Sequence, residues 1–410
     1  MENQITKIIA EEIKDSRGNP TLKVTVFVGD VSDSFSVPSG ASTGAHEAHE
    51  LRDLDGKGVG GAIDKINNVI TPALIGQDVL NQKEIDRIMI ELDGTLNKDN
   101  LGGNSMIGVS IACAKVAAKV SGVEVFEHLR TLAEIKPSRR TPHLYMNLVN
   151  GGKHAKNDLA FQEYHIVPET EDVEEAVKIG IAIQNTLKEL ILKDLGEDSV
   201  LLGDEGGFAP KISDIKQPLF YLRNAIKQND LEGKVRLALD VAATSFYKNP
   251  ARHGGGVYEI DGKDISKEEL LNIYNSLDEE FNLLSIEDPF EEEDFESFSK
   301  LKENNNIKVV GDDLTVTNKI LLQEAIEKNS INAMIIKPNQ IGTLTETLDT
   351  MKLARENDIE LIVSHRSGET DDDFIADLAY AFGCFGLKAG APLKPERKAK
   401  YDRLIEISKK

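Results

Sequence analysis

From Val235 to Ala391 the sequence repeats one unit: a short apolar run that ends on a charged or metal-ready side chain and then passes into helix-like sequence. The runs are RLALDVA ending at Asp240, LLSIEDPF at Glu287, KVVGDDL at Asp312, AMIIKPNQ at Lys337 and LIVSHRSGE at His365, with CFGLKAGAP at Lys388 closing the series. From Glu287 onward these positions are 23 to 28 residues apart, the length of one strand plus one helix. Continuous Val, Ile and Leu mark strands buried on both faces, as a parallel sheet covered by helices requires. The repeat predicts an α/β protein built on a (β/α)8 barrel, in which the residues that close each strand meet at one mouth.

At 410 residues the chain exceeds the roughly 250 such a barrel needs, which leaves room for a second unit. Residues 1–132 read as that unit, with residues 133–410 forming the barrel. Strands are expected over 5–13, 22–28 and 31–37. Helices are expected over 61–75, 81–93 and 103–120, with Asn81 as an N-cap and Glu84 three residues later. Strands first and helices afterwards is an α+β order. Between them lies the loop 36–52, SVPSGASTGAHEAHELR, which reads either as a plain polar connection or as a lid with the glycine freedom and small donors needed to close on a ligand.

A formal charge of −22 opposes nucleic acid and anionic membrane as partners. No apolar stretch is long and uncharged enough to span a bilayer. Only two cysteines, Cys113 and Cys384, occur, both in apolar runs, so a disulfide framework is not expected and a reducing compartment is favoured. The N-terminus lacks a basic segment followed by an apolar one, so the expected location is cytoplasmic.

Asp240, Glu287 and Asp312 form an oxygen-only set suited to a hard cation such as Mg²⁺; the alternative is that they pair with Lys or Arg. Lys337 closes an apolar strand, where desolvation and neighbouring cations would lower its pKa enough for a base, or where it simply neutralises those carboxylates. Glu205, between glycines in Gly203-Asp204-Glu205-Gly206-Gly207, is placed to donate a proton. Arg366 and Ser367 suit phosphate or carboxylate, and Lys388 adds positive charge. Asp288, Asp313 and the acidic run 291–294 are expected to be solvated or supporting. A base, an acid and a Lewis acid around a small anion describe proton abstraction next to a carboxylate followed by loss of a leaving group.

These residues fall in motifs that resemble the enolase family over essentially the whole length: Asp15 to Thr21, Ser39 to Gly44, Asn150-Gly151-Gly152 with His154, Gln162-Glu163, Gly203 to Gly207, Ser285 to Pro289, Gly311 to Leu314, Lys337 with Asn339 to Gly342, and Ser364 to Thr370. The resemblance implies an irregular barrel with an early antiparallel strand. It implies dehydration of 2-phosphoglycerate to phosphoenolpyruvate, with Lys337 as base at C2, Glu205 as acid at the C3 hydroxyl and Glu163 assisting. It implies two Mg²⁺ per active site, the first on Asp240, Glu287 and Asp312 and the second near Ser42. His154, Gln162, Glu163, Glu287, Asp312, His365, Arg366, Ser367 and Lys388 would face the substrate. It also implies a homodimer or an octamer of dimers, and allows a cell-surface or secreted pool. Lys23, His165 and Ala389 depart from the family's usual residues. Two other readings remain: a family relative that abstracts a proton from a non-phosphorylated acid, against which Arg366, Ser367 and the serine-rich loop argue, and a non-catalytic binding protein, which would have shed one of the catalytic groups.

Overall fold

The computed structural model describes residues 3–41, 43–54, 56–155, 157–248 and 256–410. Strands β1 (Lys7–Lys14), β2 (Pro20–Val28) and β3 (Val31–Ser36) form an antiparallel meander. One face of it packs on the helix Gly103–Ser121, which is buried along most of its length. The approach is close enough that a Cβ on Gly108 would lie 2.8 Å from Val24 Cγ2, so only glycine fits there. Helix Gln82–Asp93 begins where the Asn81 side chain accepts from the Glu84 N–H, at 3.4 Å. The helix expected over 61–75 is instead divided: α-helix over Gly60–Lys65, a π-turn over Ile66–Ile70 and a final turn over Thr71–Leu74. Pro72 accounts for the break, since it brings no N–H to bond the carbonyl four residues back.

The remaining sequence forms a closed eight-stranded barrel. Its first strands are β4 (His143–Asn150), β5 (Glu163–Pro168) and β6 (Val235–Asp240). A small separate sheet of β7 (Tyr247–Lys248), β8 (Val257–Ile260) and β9 (Lys263–Ile265) follows. The barrel then continues through β10 (Ser285–Glu287), β11 (Lys308–Gly311), β12 (Ala333–Ile336), β13 (Glu360–Ser364) and β14 (Gly386–Lys388), which closes against β4. All neighbours are parallel except β5, which runs against both β4 and β6.

Small and β-branched residues (Ala238, Val310, Ala333, Ile335 and Ile362) fill the barrel interior together with Tyr145, Val167 and Phe385. The larger core lies between the strands and the surrounding helices and continues into the N-terminal meander. The two parts also meet over the barrel mouth. Ser39 and Gly368 exchange backbone hydrogen bonds at 2.8 and 2.9 Å, and Ala41 N–H donates to Ser367 Oγ at 2.7 Å. Thus the loop that begins at Ser36 lies over the ends of the strands. Cys113 and Cys384 are buried free thiols. No single helix among the described residues is long and apolar enough to cross a membrane.

Candidate active site

The barrel's handedness and register decide which side chains reach the mouth. Asp240, Glu287 and Lys388 are the last residues of β6, β10 and β14, while Asp312, Lys337 and His365 directly follow β11, β12 and β13. Because β5 is reversed, it offers its first residue to the same rim, and Glu163 pairs in register with Asp240. One pocket is therefore lined by His154, Gln162, Glu163, Glu205, Asp240, Asp312, Lys337, His365, Arg366, Ser367 and Lys388. Glu287 joins them through Lys388. Ser42 lies outside the described residues.

Two ammonium groups organise the acids. Lys388 Nζ lies 2.8 Å from Asp240 Oδ2, 2.8 and 2.9 Å from the two Glu287 oxygens and 3.5 Å from Glu163. Burial works to lower the Lys388 pKa, but Asp240, Glu163 and Glu287 outweigh it and hold it well above the ordinary lysine value. Lys337 Nζ pairs with Asp312 Oδ2, whose other oxygen accepts from Gln340 Nε2 at 3.0 Å. Burial again opposes, the Asp312 carboxylate prevails, and the Lys337 pKa is raised. This corrects the expectation of a lowered amine. A nearby carboxylate in direct contact outweighs both desolvation and the repulsion of Arg366 and Lys388. The side chains thus adopt the ion-paired arrangement that was one of the two readings of the sequence.

The donor set still suits a divalent cation. Asp240, Glu287 and Asp312 offer carboxylate oxygens only, and burial, followed by the charge of Asp240, pushes the Glu287 carboxyl well above the ordinary range despite its contact with Lys388, as expected where acids crowd together. Among the described residues, two groups have ligand atoms all within 4.8 Å of one another: Asp288, Asp312 and Asp313, and His154, Glu163 and Glu205. The expected trio of Asp240, Glu287 and Asp312 is not such a group: Lys388 bridges Asp240 and Glu287, while Asp312 pairs with Lys337. Asp288 is buried rather than solvated, with a left-handed φ of 42°. Its two oxygens accept from the N–H groups of Asp312 and Asp313 at 2.8 and 2.7 Å, which fixes the turn that presents Asp312.

Across the pocket, two buried glutamates are driven in opposite directions. Burial first, and the charge of Glu163 second, raise the Glu205 pKa. Burial would also raise Glu163, but Lys388, His154 and His165 hold it well below the usual carboxylate range. His165 Nε2 lies 2.8 Å from Glu163 Oε2, and His154 Nδ1 lies 3.3 Å from Glu163 and 3.5 Å from Glu205. Two neighbouring carboxyls shifted in opposite directions form the pattern that separates an acid from a base. Glu205 is held by Asn147 Nδ2 at 3.0 Å, and its loop by Lys394 Nζ on the carbonyls of Gly203 and Asp204 at 2.9 and 3.0 Å. A Cβ on Gly207 would come within 2.5 Å of Asn150 Oδ1, which explains the glycine two residues after the acid.

Comparison with known proteins gives the same assignment across both parts of the chain. A family model described as the enolase N-terminal domain matches residues 5–129, and one described as the enolase C-terminal TIM barrel domain matches residues 138–410. The enolase of Methanocaldococcus jannaschii is 46% identical over 410 residues, covering 98% of this chain and 95% of its own. Those of Methanococcus aeolicus and Methanopyrus kandleri are each 44% identical, again over 98% of this chain and over 94% and 95% of theirs. The chain belongs to the enolase family. It is accordingly an enzyme of the lyase class.

Glu47 and Arg397, which shape this enolase-family site, escaped the sequence reading. Glu47 grips Arg366 at 2.9 and 3.1 Å, and Asn339 Oδ1 accepts from the same guanidinium at 3.1 Å. Arg397, fully buried, donates to the carbonyls of Arg366 and Ser367 at 2.7 and 2.8 Å and to His365 Nδ1. One signal could have found it. Arg397, Lys400, Tyr401, Leu404 and Ile407 share a helical stripe and all are buried, so two of the cations in a charged helix point inward. Of the three departures, His165 touches Glu163 directly, Ala389 is fully buried behind Lys388, and Lys23 makes only an exposed pair with Glu11.

Proposed function

We propose that this chain interconverts 2-phosphoglycerate and phosphoenolpyruvate plus water, with Lys337 as base at C2 and Glu205 as acid at the departing C3 hydroxyl. The observation that carries the proposal is the one pocket that brings together Lys337, Glu205 and Glu163, in which burial and Glu163 raise the Glu205 pKa while Lys388 and two histidines lower that of Glu163. Those are the directions in which an acid that expels a hydroxyl and its ionised neighbour need to be shifted.

Asp240, Glu287 and Asp312 would hold Mg²⁺, and a second Mg²⁺ would enter with substrate near Ser42. When bound, the metal supplies the positive charge that makes a second negative charge on the substrate carboxylate tolerable. Lys337 abstracts a proton only as a neutral amine. Its pKa is raised by Asp312 and lowered by Arg366 and Lys388, so weakening the Asp312 contact leaves the lowering influences in command. Arg366 and Ser367, with His154 and Lys388, would receive the anionic ends of the substrate. Gln162 Nε2 donates to Asp240 Oδ2 at 3.2 Å and steadies that carboxylate. A division into 1–132 and 133–410, with dimers or octamers as the working assembly, completes the proposal.

Absorbance from phosphoenolpyruvate, followed with and without Mg²⁺ and against a panel of sugar acids, tests the reading. Turnover of 2-phosphoglycerate only with the metal supports it. Turnover of a sugar acid alone would favour the reading of a non-phosphorylated substrate.

A further inference from the structure

His365 is buried in the pocket wall, and its two ring nitrogens meet different surroundings. Nδ1 faces Arg397 Nη1, on the helix Pro395–Ser408. Nε2 has no hydrogen-bond partner among the described residues and lies 3.5 Å from Glu205 Oε1. The ring is wedged in place, since a Cβ on Gly390, at φ 75°, would lie 3.2 Å from His365 Cε1 and 3.1 Å from Arg397 Cδ. A guanidinium has donors and no acceptor, and it stays protonated in proteins. Nδ1 must therefore present its lone pair to Arg397. A proton there would set two donors against each other in a buried site, at the cost of leaving both unsatisfied. The one remaining place for the ring proton of a neutral imidazole is Nε2.

We propose that Arg397 is a positioning residue that locks His365 in the neutral Nε2–H tautomer, so that this ring donates a hydrogen bond toward Glu205 and the departing hydroxyl. The inference rests on the proposed dehydration only for what the donor serves. The tautomer itself follows from the contact. The same guanidinium anchors the carbonyls of Arg366 and Ser367 at 2.7 and 2.8 Å, so the anion-binding pair and the histidine are set by one group. The charged groups that act on the ring are Arg397, Glu205, Glu163 from β5, Lys388 from β14 and Lys337 beyond β12. Burial, then Arg397, hold the His365 pKa well below the ordinary value, consistent with a ring that gives a hydrogen bond without carrying charge.

The test is ¹⁵N NMR of the histidine rings in the whole protein, selectively labelled at histidine. The chain has eight histidines, and the His365 signals are those lost in His365→Asn. The expected spectrum shows protonated Nε2 and bare Nδ1 from about pH 6 to about pH 9 with no imidazolium. Arg397→Met should release the lock: the other tautomer or the imidazolium appears, and kcat falls about 10- to 100-fold with KM little changed, as when a partner that orients a working histidine is lost. Arg397→Lys keeps one donor at Nδ1 and should retain the Nε2–H signal and recover much of kcat. A proton on Nδ1 in the unsubstituted protein would overturn the proposal whether or not the Met variant folds, and so would an unchanged tautomer in a folded Arg397→Met. An Nε2–H ring in a protein that fails to turn over 2-phosphoglycerate would uphold the tautomer and overturn the proposed reaction instead.

Discussion

Glu47, in the loop from the N-terminal part, and Arg366, at the barrel mouth, form a forked ion pair at 2.9 and 3.1 Å with both side chains almost wholly buried. The contact fastens the loop over the strand ends and orients the guanidinium proposed to meet the substrate. Removing one member of a buried pair leaves the other's charge poorly compensated, and the cost is several kcal/mol. Glu47→Ala should therefore lower stability by about 3 kcal/mol and raise KM for 2-phosphoglycerate more than it lowers kcat. Chemical denaturation and steady-state kinetics check the two parts separately. Unchanged KM would show that the pair does not position Arg366 for substrate.

Asp288 supports Asp312 through the backbone. Its carboxylate accepts from the N–H groups of Asp312 and Asp313 at 2.8 and 2.7 Å, both at the mouth of the barrel. Asp288→Ala would leave buried donors unsatisfied, for a loss of about 2 to 4 kcal/mol in stability. Since the turn also aims Asp312, Mg²⁺ affinity measured by calorimetry should fall about 10- to 100-fold, as for other groups that orient a ligand.

The opposed glutamates predict a pH signature. Glu205 is raised in the folded protein, so its contribution to stability is complete below the unfolded value of about 4.3 and is lost as pH rises through the folded value. Glu163 is lowered, so its contribution is present above about 4.3 and is lost as pH falls through its folded value. Glu205→Gln removes a group penalised for ionising. Relative to the unsubstituted protein, the variant should gain stability as pH is raised from about 5 toward 8, and the Glu163→Gln variant should not. Urea titrations at a series of pH values measure both.

The six strand-closing residues were legible because each ends an apolar run, and a parallel barrel turns that sequence position into a common place in space. Glu163 was reached by resemblance. Its run alone does not reveal that β5 is reversed, and the reversal is what brings a first residue to the mouth. The ion pairs within the site were legible only as one of two alternatives, because the sequence fixes which charges converge but not which oxygen each ammonium takes. Asp288 was read as either solvated or supporting and proves to support Asp312. Glu47 and Arg397 were missed for a different reason. Each acts through a loop or backbone geometry that no short window encodes, and Arg397 lies in a helix whose charge reads as solvated although its inward stripe carries both Arg397 and Lys400.

The assignment of Lys337 and Glu205 to separate proton transfers is most directly tested by exchange of the C2 proton of 2-phosphoglycerate with deuterated water. Lys337→Ala and Glu205→Gln should both abolish net turnover. Exchange should cease in Lys337→Ala and remain measurable in Glu205→Gln, because only the former lacks the base. Equal exchange in the two variants, whether present or absent, would contradict the roles assigned here.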